Sequence, residues 1–240
     1  MGDVGQDPKT LLGRLGLIPF EQAMALEERL RRLRYERGIP DTILIMEHPP
    51  TITMGRFGQT DNILLSPEEL DRRGIALAHT NRGGDVTIHT RGQLVFHVVM
   101  DLRCRNSPLR GFITDLEEVA LRTLAYYGVV AGRWDEHPGL WVEGRQVVAI
   151  GLHLGQGISS HGLSLNVDPD LSTFGVINLC GLPGREATSI ARELGYPVDI
   201  KHVARTLAAT FAEVFRRELT PVSLANLTKR VAGAATPKGI

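Results

Sequence analysis

The chain has 240 residues, enough to bury a sizeable core in one large or two small domains. Lysine plus arginine equals aspartate plus glutamate at 27 each, so no global charge excess draws it to nucleic acid or to a membrane surface. Two cysteines, Cys104 and Cys180, in unlike contexts make no disulfide framework. No apolar run reaches the roughly 18–20 residues a bilayer requires, and MGDVGQDPKT has none of the basic-then-apolar order of a signal peptide, so the expected location is cytoplasmic, with no nucleic acid and no membrane as partners.

Residues 1–14 are expected to be a flexible segment. Ala23, Leu26, Leu30 and Leu33 then recur at helical spacing among arginines and glutamates, predicting an amphipathic helix from Phe20 to about Arg37 that Gly38 and Pro40 close. A short strand over Thr42–Met46 stops at Glu47-His48-Pro49-Pro50. Thr114 to Glu117 reads as a capping box, with Ile113, Leu116, Ala120, Leu124 and Tyr127 on the inner face of a helix ended by Gly128. Strand-like pieces follow at Val129–Val130, Leu140–Val142, Gln146–Ile150 and Leu163–Val167. The last clear helix runs from Ile200 to about Leu219, and a tail from Pro221 is expected to fray. Mingled strands and helices without a repeat or a long linker favour one α/β (α+β) unit with a mixed sheet, here placed at 15–220, with 221–240 as a C-terminal tail.

Three stretches can carry chemistry. Asn81 to His89 sets Gly83 and Gly84 beside Arg82 and ahead of an alternating strand; glycines let a backbone approach an oxygen-rich ligand, although an ordinary turn has the same pattern. Arg82 and His89 flank that turn and are expected to face a cleft, supporting binding more than folding. His161, before a strand ending at Asn166, either orients a substrate carbonyl or is satisfied by the backbone. Cys180 lies between Asn178 and Gly181, with Pro183 and Gly184 beyond, a context that suits an exposed loop more than a core. A thiol in a cleft is a nucleophile that accepts an acyl group as a thioester. The eight histidines show no ligand-like spacing, so no metal site is expected.

In order, Glu47 to Gly55, Arg82 to His89, Gly92 to Leu94, Gly139 to Val142, Ala149 to Gly151, His161 to Val167 and Ile177 to Gly181 resemble the lipoate-biosynthesis octanoyltransferases over most of residues 15–220. The resemblance implies the biotin/lipoate ligase catalytic-domain fold, a mixed sheet flanked by helices. It also implies octanoyl transfer from octanoyl acyl carrier protein to a lysine of lipoyl domains, of 2-oxoacid dehydrogenases or of the glycine cleavage H protein, with no cofactor. By the same resemblance Cys180 carries the acyl group. Arg82, Gly83, Gly84, Asp85, Val86, Thr87, Ile88 and His89, with Ala149, Ile150, Gly151, Gly162, Leu163 and Ser164, line the acyl pocket.

The chain departs from that pattern where it matters for proton transfer. The family pairs its cysteine with a lysine five residues before the glycine matching Gly151, and here that residue is Gln146. Arg145 cannot substitute, because adjacent strand side chains face opposite ways. Ile88 stands where a tyrosine is usual, and Thr90-Arg91 where the family has Gly-Pro. Two further readings stay open at this point: an acyl-binding homologue whose turnover is impaired or lost with the lysine, and an ATP-dependent ligase on the same fold.

Overall fold

The computed structural model describes residues 8–103, 108–134 and 137–233. Cys104 lies outside the described residues. In chain order the elements are β1 (Lys9–Leu17), α1 (Phe20–Tyr35), β2 (Asp41–Glu47), β3 (Thr51–Met54), α2 (Pro67–Arg72), β4 (Ala76–His79), β5 (Val86–His89), β6 (Gln93–Val99), α3 (Pro108–Tyr126), β7 (Gly132–Arg133), β8 (Gly139–Val142), β9 (Arg145–Gly155), β10 (Ile158–Asn166), α4 (Ile190–Leu194), α5 (Ile200–Phe215), β11 (Glu218–Val222) and α6 (Leu224–Gly233). An eight-stranded mixed sheet has the order β11-β1-β2-β6-β10-β9-β8-β7, and a three-stranded sheet the order β4-β3-β5.

The large sheet is covered on both faces, and its central strands show why. Along β2, Ile43 and Ile45 join one apolar cluster while Leu44 and Met46 join the other. On β6, Leu94, Phe96 and Val98 turn to the first and Val95 and Val99 to the second. Period-two alternation with apolar residues at both phases gives a strand buried on both sides. α3 and α5 supply Phe112, Leu116, Leu207 and Phe211 to the first cluster. α1 lays Leu26 and Leu30 on the second. A third cluster, with Ile52, Ile88, Phe174 and Leu179, fills the space beside the small sheet.

Several boundaries differ from the sequence reading. α3 begins at Pro108, so Thr114 sits inside the helix and its hydroxyl donates to the Arg110 carbonyl at 3.2 Å. Glu117 reaches outward instead, accepting from the Gly139 amide at 3.1 Å and from Arg133. A Ser/Thr-x-x-Glu pattern marks a helix start only where the preceding chain leaves the helix, and here it does not. Val129 and Val130 are not a strand: Val129 plugs the core and Val130 is exposed. α5 stops at Phe215, where Arg216 takes φ +52° as a left-handed cap.

Both ends are more ordered than expected. Residues 9–14, placed in a flexible segment, belong to β1, which pairs in parallel with β2 on one side and β11 on the other. The tail from Pro221 continues as β11 and α6 rather than fraying along its length. The reason is a socket: a Cβ at Gly13 would lie 2.7 Å from Leu227 Cδ1, so the bare backbone of β1 leaves room for a fully buried Leu227. Among the described residues, no helix is long and apolar enough to cross a membrane.

Leu227→Ala should therefore destabilise the protein by about 2–5 kcal/mol in denaturant unfolding, as for a leucine removed from a packed core. Asn226→Ala, at an exposed neighbour, should change it by less than about 0.5 kcal/mol.

Candidate functional site

The segment holding Cys180 is anchored on both sides. Leu179 is buried in the third cluster, the Asn178 amide donates to the Asn62 carbonyl at 2.9 Å, and Asn178 Nδ2 donates to Asn62 Oδ1 at 3.2 Å. Asp85 closes the knot, accepting from the Gln59 amide at 2.9 Å and from Asn62 Nδ2 at 2.5 Å. At Gly181 φ is +73° and a Cβ would fall 2.4 Å from Asp85 Oδ2, so only glycine fits. Cys180 itself holds φ +55°. A non-glycine residue in this region costs on the order of 1–3 kcal/mol and persists only where its surroundings impose it. The effect is to drive Leu179 into the core and turn the Cys180 sulfur to the wall of a cavity. The exposed loop expected here is thus corrected: packing of Leu179 makes Cys180 half-buried.

Gln146 faces that sulfur. Its Nε2 donates to Cys180 Sγ at 3.2 Å, and the thiol lies 3.7 Å from Gln146 Oε1. The glutamine backbone is fixed by Gln146 N to Glu186 O and Thr188 N to Gln146 O, both 2.9 Å. Arg145 points away, to Glu193 and Glu143, as strand alternation requires. Burial pushes the Cys180 thiol above its ordinary pKa; the Gln146 hydrogen bond and the positive charge of Arg82 act the other way and do not overcome it. Arg91 is exposed and does not line the cavity.

The glycine loop is built around a buried arginine. Arg82 Nη2 donates to the carbonyls of Thr53 (2.6 Å) and Asp85 (2.8 Å), Nη1 to the Gly83 carbonyl (3.1 Å), and Nε to Thr53 Oγ1 (3.2 Å). Burial pushes its pKa down to about 10, which still leaves it cationic at neutral pH. A Cβ at Gly55 would lie 2.3 Å from the Gly84 carbonyl and 2.8 Å from Arg82 Nη1, and one at Gly151 would lie 2.9 Å from Arg82 Cδ, so these glycines let the loop and the arginine side chain pack closely. The expectation that Arg82 and His89 favour binding over folding is corrected for Arg82, whose polar atoms are committed to the loop. The Gly83 amide, a natural candidate to stabilise an oxyanion, already donates to the Leu152 carbonyl at 2.7 Å.

The cavity, about 240 Å³, is mostly apolar. The structure gathers on its wall Arg82, Gly83, Gly84, Asp85, Val86, Thr87 and His89, with Ala149, Ile150, Gly151, Gly162, Leu163, Ser164 and Cys180. Ile88 is the exception: it packs against Ile52 in the third cluster, on the opposite face of β5 from Thr87 and His89. Gly162 permits the close β6–β10 approach, since a Cβ there would meet the Phe96 carbonyl at 2.1 Å. His89 is buried and held neutral by that burial; Nδ1 is 2.7 Å from Gln93 Oε1, and the ring stacks on Phe20. Sequence reasoning missed Phe20, Leu109 and Ile113, which reach the cavity from α1 and α3, because helical periodicity shows an inner face and not what it faces.

The His161 ring is satisfied by a side chain rather than by the backbone, Nε2 lying 2.7 Å from Asn81 Oδ1, and the residue lines the cavity. The expectation of no metal site rested on spacing along the chain; in space, Glu27, His97 and His161 come from three elements to within 4.8 Å of one another.

The family model described as the lipoyl protein ligase A/B catalytic domain matches residues 19–212. An octanoyltransferase of Chloroflexus aurantiacus is 42% identical over 207 residues, covering 85% of this chain and 93% of that protein. A T. acidophilum protein regarded as a lipoate protein ligase, solved with bound lipoic acid, superposes with a TM-score of 0.76 at 17% identity over 94% of each chain. The bipartite lipoate protein ligase of Thermoplasma acidophilum, studied with its E2 lipoyl domain, gives 0.74 at 16% identity over 94% of this chain and 91% of that one. An apolar cavity walled by a glycine loop and ending at a thiol, on a mixed sheet clasped by helices, defines a class of acyl-handling domain. The chain belongs to the lipoyl protein ligase A/B catalytic domain family.

Arg82→Ala should lower unfolding free energy by at least about 2 kcal/mol, because it strips the donor from three carbonyls around a buried site. Arg82→Lys should recover only part of it, a single ammonium being unable to span the same fork. A loss within about 0.5 kcal/mol for the alanine variant would show the arginine to be structurally idle.

Proposed function

We propose that this protein is an octanoyltransferase of protein lipoylation that moves an octanoyl group from octanoyl acyl carrier protein, through a thioester on Cys180, to a lysine of a lipoyl domain. The observation that carries the reading is the Cys180 sulfur on the wall of an apolar cavity with Gln146 Nε2 at 3.2 Å. The 42% identical octanoyltransferase supports the reaction, and the lipoyl domain studied with the archaeal ligase supports the acceptor class. Lipoyl domains of 2-oxoacid dehydrogenases and the glycine cleavage H protein are acceptors of that class.

In the first step Sγ attacks the donor thioester carbonyl, the carrier's C–S bond breaks, and the Cys180 proton ends on the released carrier thiol. In the second, the acceptor amine attacks the Cys180 thioester, forms the amide and gives up a proton as the cysteine thiol returns. Gln146 serves both states of the sulfur. Its Oε1 faces the thiol proton and its Nε2 donates to sulfur, so it suits a thiolate as well. An amide does not carry a proton at neutral pH, so the transfers pass through the reacting groups or solvent. The acyl chain gains about 0.8 kcal/mol for each methylene buried among Val86, Ile150 and Leu163, which sets selection by length.

After incubation with octanoyl acyl carrier protein, intact mass should show one octanoyl adduct on the wild type and on Cys104→Ser, and none on Cys180→Ser. An adduct that survives Cys180→Ser and vanishes in Cys104→Ser would reject the nucleophile and leave an acyl-binding protein as the better reading.

The pH profile of Cys180 alkylation tests Gln146. Burial raises the folded thiol's pKa, so the wild-type profile should have its midpoint above that of a free thiol. Gln146→Lys, placing an ammonium where Nε2 now lies, should move that midpoint down and speed transfer by about 10²-fold or more, beyond the few-fold expected from thiolate fraction alone. A midpoint and a rate both unmoved would show that position 146 does not govern the thiol.

A further inference from the structure

α1 carries Ala23, Glu27 and Leu30 on its inner face, so a carboxylate occupies a core position against the sheet, 2% exposed. Around it the layer is apolar, with Leu26, Leu30, Val95 and Val99 in one cluster. A lone carboxylate in such a place costs several kcal/mol unless positive charge or donors compensate it. Two imidazoles meet it from the sheet. His97 on β6 has Nδ1 3.3 Å from Glu27 Oε1, and His161 on β10 has Nδ1 3.8 Å from Oε2. Oε1 also accepts the His161 amide at 2.7 Å.

His97 Nδ1 is buried and makes no hydrogen bond among the described residues, although it stands within ion-pair distance of the carboxylate. In His161, Nε2 as an N–H donor to Asn81 Oδ1 at 2.7 Å leaves Nδ1 as a lone pair. A carboxylate and two imidazole nitrogens thus converge, the kinds of side-chain atom a metal binds.

We propose that Glu27, His97 and His161 form a binding site for a divalent transition-metal cation of the zinc class, set between α1 and the sheet. Zinc–ligand bonds of about 2.0–2.2 Å in a tetrahedron separate neighbouring donors by about 3.4 Å; His97 Nδ1 lies 3.3 Å from Glu27 Oε1 and His161 Nδ1 3.8 Å from Oε2, and one ligand atom from each residue lies within 4.8 Å of the others, so small side-chain shifts reach that geometry. The outer nitrogen of His161 is held by Asn81, the kind of supporting hydrogen bond that orients a metal-bound imidazole. A second cavity of about 260 Å³, lined by Glu27, His79, Asn81 and His161, offers an entry path and room for water at a fourth position. His97 and His161 also line the acyl cavity, so the cation would tie α1, β6 and β10 together at its wall and neutralise the buried carboxylate. The site stands independently of the octanoyl reading.

The test uses the full-length protein, stripped with a chelator and titrated with Co²⁺. The expected result is one equivalent bound, visible d–d absorption of a four- or five-coordinate ion, displacement by Zn²⁺ and a raised melting temperature. Cys180→Ser should bind as the wild type does, which separates this site from the thiol. His161→Asn, chosen because asparagine tolerates the φ of +59° at this position, should weaken Co²⁺ binding by at least about 100-fold, since loss of a supporting residue alone costs about 10–100-fold. Asn81→Ala, at an exposed residue that leaves folding intact, should weaken it by about 10-fold and serves if the histidine variant does not fold. No saturable binding by the wild type, a spectrum lost in Cys180→Ser, or affinity unchanged in both His161→Asn and Asn81→Ala would overturn the proposal.

Discussion

The cavity wall depends on one buried guanidinium. Arg82 sits among carbonyl oxygens of Thr53, Gly83 and Asp85, which belong to β3 and to the loop before β5, and binds them into one body. Its hydrogen-bond acceptors are neutral dipoles, and the nearby Asp85 carboxylate favours its charged form against burial. The arginine's field reaches Cys180, and it is among the influences that favour the thiolate. The same residue thus sets the shape of the loop and part of the electrostatics of the thiol. Its side chain takes the space a Cβ at Gly151 would need, and at Gly55 it adds to the clash with the Gly84 carbonyl.

Asp85 links this loop to the segment carrying Cys180. Its backbone carbonyl accepts from Arg82 while its side chain holds Gln59 and Asn62, and Asn62 in turn holds Asn178. The carboxylate opposes ionisation of the nearby thiol, as burial does. An arrangement of this kind favours the protonated sulfur, with an amide rather than an ammonium beside it. Such a thiol resists adventitious oxidation, since the thiolate is the reactive form.

On the α1 side of the sheet, the polar group formed by Glu27, His97 and His161 interrupts a layer that is otherwise aliphatic. His161 sits at φ +59° within β10. Left-handed backbone at a buried non-glycine position marks a place where surrounding contacts dictate geometry, and Cys180 shares the property. Both strained residues line the cavity, one from the sheet and one from the turn that carries the sulfur.

Sequence alone determined the main helices, the central strand and, through the resemblance, the residues expected around the cavity. The apolar run Thr42–Met46, the helical spacing of Leu26, Leu30 and Leu33, and the glycine motifs are local patterns whose physics is local, and the resemblance they carried paired Cys180 with position 146. What only tertiary structure decided concerns partners distant along the chain. Glu27 reads as one more charged residue on an amphipathic helix until two strands bring imidazoles to it. Arg82 reads as a cleft-facing cation until Thr53 and Asp85 surround it. The C-terminal segment, poor in local signals, is ordered by pairing with the edge of β1 and by a leucine seated over Gly13. Burial and hydrogen-bond satisfaction are properties of an environment, and a residue's environment exists only once the chain has folded around it.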